Sequence, residues 1–425
     1  MAGIRSTIGR AVRSPATGRV WTALAPVVGR IAGKVLPAVP GRVVVVPPAA
    51  PGSLGDDALL AVLRAELGPG SELHVVGLAR RRDRAARARM ADRPAWAAEG
   101  VGDAVRGFPL RGWVALLRAR PQSVVVVGAD VMNGFYSDWK SARRWDLLAC
   151  AGSAGRHAVA VGFSWPEPAG VGPQSLRAAR GAAAARSSCR DPVSARRFTE
   201  ATGHPALTGA DIAFLLAPDP DGDAVRAVRE WADERRRAGQ CPIALNLNGL
   251  TLGRADEHPD RVAVLADAIA ALAEDDIAVV LLPHDSRGGA GDRAWARSVH
   301  AAAAGRATAT IVATPVRGAE AKAMTGSLTA VVTGRMHLAI ASLGSGVAVS
   351  LLDYQGKVEG LDALFPGADI RVALPAEEWC RQIAPIARRL VADAPARAAA
   401  IARAQAGATD GARRLVDHAR AGART

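Results

Sequence analysis

From residue 42 onward, short β-branched runs alternate with amphipathic helical stretches, and this alternation restricts the chain to few folds. Residues 42–46, 73–76, 123–127 and 157–161 are apolar at nearly every position, and residues 213–216 form a further candidate. Such runs lack the polar alternation of a half-exposed strand, so they read as strands of a parallel sheet covered by helices on both faces. The pattern stops at Pro218-Asp219-Pro220-Asp221-Gly222 and restarts, with strands expected at 242–246, 277–282, 310–313, 330–333 and 347–351. The expectation is an α/β protein of two tandem Rossmann-like, doubly wound domains, at 42–217 and 223–375. Ligands of such folds collect at the carboxyl ends of the strands, so a cleft between the domains is the expected site. Residues 376–425 read as Ala/Arg-rich C-terminal helices, and residues 1–41 as a basic leader.

With 425 residues, two domains with real cores are affordable. Aromatics are only 4% of the chain, so those cores must be built from Ala, Val and Leu. Cys150, Cys189, Cys241 and Cys380 are far apart, which excludes a zinc ribbon and a dense disulfide scaffold and points to a reducing compartment. No metal-ligand cluster is visible, so catalysis is expected to be metal-independent.

The net charge of +14 is local. Arg5, Arg10, Arg13, Arg19, Arg30, Lys34 and Arg42 precede the first acidic residue, Asp56, and supply half of it. A second basic run occupies residues 80–93. Basic segments of this kind attract anionic lipid, nucleic acid, polyanionic glycan or a phosphorylated substrate. Few stacking aromatics interleave with them, so nucleic acid is not expected as a partner. No apolar run in the leader is long enough to span a bilayer, and no cleavage site follows one. Ile4, Ile8, Val12, Trp21, Leu24, Val28 and Ile31 give it an apolar face that suits an anionic membrane surface. A poorly ordered leader accounts for it equally well. The expected location is the cytoplasm, with the inner face of the membrane as a surface for peripheral contact.

Chemistry gathers at four strand-to-helix junctions. Gly52-Ser53-Leu54-Gly55-Asp56-Asp57 follows a strand and opens a helix, where free N–H groups favour an anion; a plain turn capped by Asp56 or Asp57 is the competing reading. Arg190, in Ser188-Cys189-Arg190-Asp191-Pro192, has the side chain for a bidentate grip on a carboxylate or phosphate. A surface arginine paired with Asp191 is its competitor. His284 and Asp285 end an apolar strand, and there an exposed His284 beside a capping Asp285 competes with ligand contact. Gly334-Arg335-Met336-His337 is the strongest junction, placing a histidine able to act as acid or base at a new helix N-terminus. Tyr354 and Lys357 lie in a polar patch after the next strand.

Taken together these segments resemble the polysaccharide pyruvyl transferase family. The resemblance is carried by Gly52-Ser53-Leu54-Gly55-Asp56-Asp57-Ala58, Arg190-Asp191-Pro192-Val193-Ser194, Asp211-Ile212-Ala213-Phe214-Leu215-Leu216, Pro283-His284-Asp285, the Gly334–Ala341 stretch containing Arg335 and His337, and Tyr354-Gln355-Gly356-Lys357. It covers residues 42 to 365. One departure is Gly128-Ala129-Asp130, where the family has a run of three glycines.

The resemblance implies a glycosyltransferase-B-like architecture that uses phosphoenolpyruvate, with no cofactor, to place a pyruvate ketal across two hydroxyls of a cell-surface glycan. The acceptor would be a sugar, lipid-linked or polymeric. It implies that Arg190 grips the donor with help from Arg335 and the N–H groups after Gly334, and that His337 supplies a proton or stabilises charge. Ser53, Gly55 and Asp56 would bind substrate, His284 or Asp285 would orient the acceptor, and Tyr354 and Lys357 would line the cleft. Two other readings stay open: a nucleotide-sugar-dependent glycosyltransferase of the same architecture, and a non-enzymatic basic adaptor for anionic membrane or glycan. Acceptor identity and oligomeric state are not encoded legibly.

Overall fold

The computed structural model describes residues 14–49, 52–78, 100–106, 108–285, 291–307, 310–353 and 357–422. The basic run at 80–93 and Tyr354 lie outside them. The chain divides into two compact units, one comprising Met1–Pro51, Leu60–Ile212 and Asp410–Thr425, the other Gly52–Leu59 and Ala213–Thr409.

In the first unit a helix over Pro15–Val35 (α1) precedes strand Val39–Val46 (β1). Helix Leu54–Leu67 (α2) begins in the second unit and ends in the first. Then come Glu72–Val75 (β2), Pro121–Ala129 (β3), helix Asp138–Ser153 (α3), His157–Phe163 (β4), Arg186–Cys189 (β5) and Leu207–Thr208 (β6). The strands form one sheet, ordered β2-β1-β3-β4-β5-β6, and every pairing is parallel. The run of valines at 43–46 is fully buried, as a strand covered on both faces must be. Aromatics are few but concentrated: Trp145, Phe163, Trp165 and Phe198 pack mutually with centroids 5.1–6.3 Å apart. The cores are therefore mainly aliphatic rather than purely Ala, Val and Leu, with Trp113, Trp295, Trp379 and Phe365 buried as well.

The second unit repeats the plan with Cys241–Leu245 (β7), Ile277–Leu281 (β8), helix Asp292–Ala303 (α4), Ile311–Val312 (β9), Ala330–Thr333 (β10), helix Met336–Gly344 (α5), Ala348–Leu352 (β11) and Arg371–Val372 (β12). Its parallel sheet runs β12-β11-β10-β7-β8-β9. Counted from β7, that is the 3-2-1-4-5-6 order of dinucleotide-binding folds, whose ligand crevice opens where the order reverses, here between β7 and β10. A helix over Ala376–Arg420 (α6) closes the chain.

Three expectations need correction. Residues 213–216 are not a strand; Ile212–Leu215 is a 3-10 turn, and the buried Lys322 ammonium donates to the carbonyls of Phe214 (3.1 Å) and Leu216 (2.7 Å) that a strand would have spent on a ladder. Residues 14–36 are not a leader outside the domain, because α1 buries Gly18, Ala25, Gly29 and Ala32 within the first unit. The turn at Gly52–Leu59, expected in the N-terminal domain, belongs to the second unit. Among the described residues, no helix is long and apolar enough to cross a membrane.

Candidate active site

The carboxyl ends of β7, β8 and β10 bring together most of the expected residues. β10 ends at Thr333, whose hydroxyl donates to Asn246 Oδ1 (3.0 Å) and accepts from the Arg335 N–H (2.9 Å). Gly334 follows, its carbonyl accepting from Asn248 Nδ2 (2.7 Å); a Cβ there would lie 2.9 Å from Asn248 Cβ. Arg335 is the N-cap residue of α5, which has no side-chain cap, so its opening turn is suited to meeting an anion.

The guanidinium of Arg335 is not held out for a ligand alone. It grips Asp292 in a bidentate pair, Nε to Oδ2 at 3.2 Å and Nη2 to Oδ1 at 2.6 Å, and its Nη1 lies 3.3 Å from Asp285. Asp292 is fully buried at the start of α4 and also accepts from Asn246 Nδ2 (3.0 Å), the Gly249 N–H (3.2 Å) and the His284 N–H (3.1 Å). This carboxylate joins the ends of three strands. Sequence reading passed over it, since an acid at a helix start ordinarily reads as a dipole partner. Asn246 and Asn248, polar positions in Leu245-Asn246-Leu247-Asn248-Gly249, were the available signal.

His284 is buried, not exposed. Its N–H goes to Asp292, its carbonyl accepts from the Leu54 N–H (3.2 Å), and Ser53 forms a β-bridge with Asp285. Asp285 therefore pairs with Arg335 and anchors the turn. The His284 ring is different: Nδ1 and Nε2 are both buried with no hydrogen-bond partner among the described residues. Burial, reinforced by the nearby His337 and Arg335, pushes its pKa down to about 3, against the pull of Asp285. The ring is thus neutral at physiological pH, with one N–H and one lone pair to offer.

His337 is half-buried on the first turn of α5, its ring against Gly55. A Cβ on Gly55 would sit 2.3 Å from Nδ1, 2.5 Å from Cγ and 2.7 Å from Cβ of His337. Glycine is needed there for space. The cap of α2 is Ser53, whose Oγ accepts from the Asp56 N–H (3.2 Å), rather than Asp56 or Asp57. Asp57 instead accepts from the Gly318 N–H (3.2 Å), while Asp56 is half-buried in the first turn. Lys357, also half-buried, stands at the start of helix Val358–Asp362 beyond β11.

Arg190 belongs to the first unit. It is 3% exposed and paired with Asp211 (Nη1 to Oδ2, 3.0 Å), not Asp191, and its Nε donates to Ser164 Oγ (2.7 Å). Asp191 caps helix Pro192–Thr202 by accepting from the Ser194 N–H (2.6 Å) and hydroxyl (2.7 Å). Two of the recognised segments therefore meet in one ion pair.

The buried neutral imidazole has a measurable consequence. On unfolding, His284 takes up a proton below its ordinary pKa of 6.5, whereas the folded ring resists protonation down to about pH 3. The unfolded state therefore binds more protons between those values, and stability falls as pH falls. The loss from this group is about 3 kcal/mol by pH 4.5. Urea unfolding at pH 6.5 and 4.5 should show a smaller pH difference in His284→Asn than in the wild type. Equal differences would remove the neutral imidazole from the account.

Two Rossmann-like α/β units define a class shared with glycosyltransferases and sugar-nucleotide epimerases. S. aureus MnaA in its UDP co-structure is similar at a TM-score of 0.58 and 12% identity, over 89% of this chain and 96% of that one. UDP-GlcNAc 2-epimerase from Neisseria meningitidis, bound to UDP-GlcNAc, gives 0.56 and 10%, over 88% and 98%. A glycosyltransferase from Rickettsia africae gives 0.53 and 9%, over 89% and 98%. These likenesses establish the fold. Among curated proteins none matches the chain. The polysaccharide pyruvyl transferase family model matches residues 54–356, and the chain belongs to that family.

Proposed function

We propose that the protein transfers pyruvate from phosphoenolpyruvate to two hydroxyls of a glycan sugar, forming a ketal. The observation that carries this reading is the neutral His284 ring, without a hydrogen-bond partner among the described residues, near His337, at the sheet's switch point and beside the uncapped start of α5. Phosphoenolpyruvate is small and densely anionic, and the N–H groups of an uncapped helix start suit it.

In this mechanism His337 delivers a proton to the methylene carbon of the enol ether, which makes the central carbon electrophilic. One sugar hydroxyl adds there and releases its proton. The bond from the central carbon to the phosphate oxygen breaks, and phosphate leaves. The second hydroxyl then adds, and its proton completes the balance on phosphate and the regenerated acid. His284, neutral throughout, orients a hydroxyl through its N–H or its lone pair. Arg335, clamped by Asp292 and Asp285, fixes the turn that carries His337. Arg190, aligned by Ser164 and Asp211, is a further proposed anion grip, carried by its match to the family's segment. The reaction as proposed calls on no metal or cofactor.

The test is glycan-dependent phosphate release from phosphoenolpyruvate, with the ketal methyl followed by proton NMR. His337→Ala and Arg190→Ala should each lower turnover by roughly 100-fold or more, as expected for a lost proton donor or a lost anion grip. Near-wild-type turnover in either would sink that residue's role. Transfer of sugar from a UDP- or GDP-sugar instead would replace the reading with a conventional glycosyltransferase. Salt-sensitive glycan binding that survives His337→Ala, with no turnover, would favour the adaptor.

A further inference from the structure

The outward face of α1 is apolar, edged with positive charge, and held facing outward by its own packing. Val20, Leu24, Val27, Ile31 and Val35 are 39–69% exposed. At 100° per residue they fall within an arc of about 80°, a continuous stripe along the helix. Arg19, Arg30 and Lys34 are exposed along one edge of it. At the other edge Trp21 packs edge-on against Phe108 (4.9 Å), itself 41% exposed. Neither α1 nor helix Pro109–Ala119, which begins just after Phe108, contains an acidic residue.

The opposite face of α1 explains why the stripe stays outside. A Cβ on Gly29 would lie 2.2 Å from the Cys150 carbonyl oxygen of α3, and one on Gly33 would lie 2.8 Å from the Ala154 oxygen. The two backbones approach so closely that α1 cannot roll its apolar side inward. The face differs from the one the sequence suggested, because Trp21 and Val28 turn toward the core.

We propose that this stripe docks the protein on an anionic lipid bilayer, α1 lying flat in the interface. Val20, Leu24, Val27, Ile31 and Val35 enter the acyl boundary while Arg19, Arg30 and Lys34 stay with the headgroups. The charge pattern selects this occupant: Arg19, Arg30 and Lys34 edge the stripe on a helix that carries no acid, which matches an anionic surface. The inference is independent of the pyruvyl-transfer reading, since it is tested without donor or acceptor.

The experiment is co-sedimentation of the full chain with phosphatidylcholine vesicles, with or without phosphatidylglycerol, at low and high salt. The wild type should bind the phosphatidylglycerol vesicles, and salt should weaken binding. Leu24→Asp/Ile31→Asp should lower the partition coefficient by roughly tenfold or more, as should Arg19→Glu/Arg30→Glu, which leaves the apolar stripe intact. Thermal unfolding of both variants checks that the fold is kept. Absence of wild-type binding, or equal binding by folded variants of both kinds, overturns the proposal. So does a wild-type dimer that the Leu24→Asp/Ile31→Asp variant converts to monomer, which would assign the stripe to a second copy of this chain.

Discussion

Replacing Gly55 by Ala is expected to lower turnover by roughly 100-fold, the cost of misplacing a catalytic group by about an ångström. The added methyl meets Nδ1, Cγ and Cβ of His337 within 2.7 Å, so it opposes the root of the side chain as well as the ring tip. Small shifts of the imidazole end cannot relieve that. Overpacking costs about 1–3 kcal/mol, but alanine in a helix recovers up to about 1 kcal/mol over glycine. Stability should therefore change less than activity. A double-mutant cycle isolates the cause: once His337→Ala has removed the ring, Gly55→Ala should do little further harm. Additive losses would show that Gly55 acts through something other than His337.

The second large effect is expected at Asp292. Its carboxylate only accepts, two hydrogen bonds on Oδ1 and three on Oδ2. In Asp292→Asn one of those positions becomes an NH2 group facing only donors, whichever way the amide is turned. The change also leaves Arg335 with half of its carboxylate clamp. Breaking a buried ion pair in this way costs about 3–5 kcal/mol, which denaturant unfolding would read as a large fall in midpoint. Turnover should fall as well, because the Arg335 turn and the His284 backbone both hang on Asp292. A loss below about 1 kcal/mol would mean that the site does not depend on this carboxylate.

The sheet cores were legible because valine runs such as 43–46 and 124–127 suit a strand buried on both faces, which is where they lie. β5 escaped notice because its Arg186-Ser187-Ser188-Cys189 sequence buries serines, with Ser188 Oγ donating to the Ala160 carbonyl (3.2 Å). α1 escaped because its packing face is made of glycine and alanine, which carry little hydrophobic signal but allow close backbone approach. The His284, Asp285, Arg335 and His337 cluster could be read from strand ends followed by turns. Asp292 could not, because its part is to accept hydrogen bonds from residues distant in sequence, and the polar Asn246 and Asn248 hint at such a partner without naming it. Nor could the sequence tell that Arg190 pairs with Asp211 rather than with its neighbour Asp191.

The central claim is that phosphoenolpyruvate is the donor held near His284 and His337. Thermal unfolding with phosphoenolpyruvate, inorganic phosphate, UDP-sugars and GDP-sugars tests it without knowledge of the acceptor. A ligand at 100 times its dissociation constant stabilises the native state by about 2.7 kcal/mol, a clear rise in melting temperature. The account predicts that phosphoenolpyruvate raises the melting temperature well beyond equimolar phosphate, and that Gly55→Ala blunts the rise. A shift no larger than that of phosphate, or a response to a nucleotide sugar alone, would contradict it.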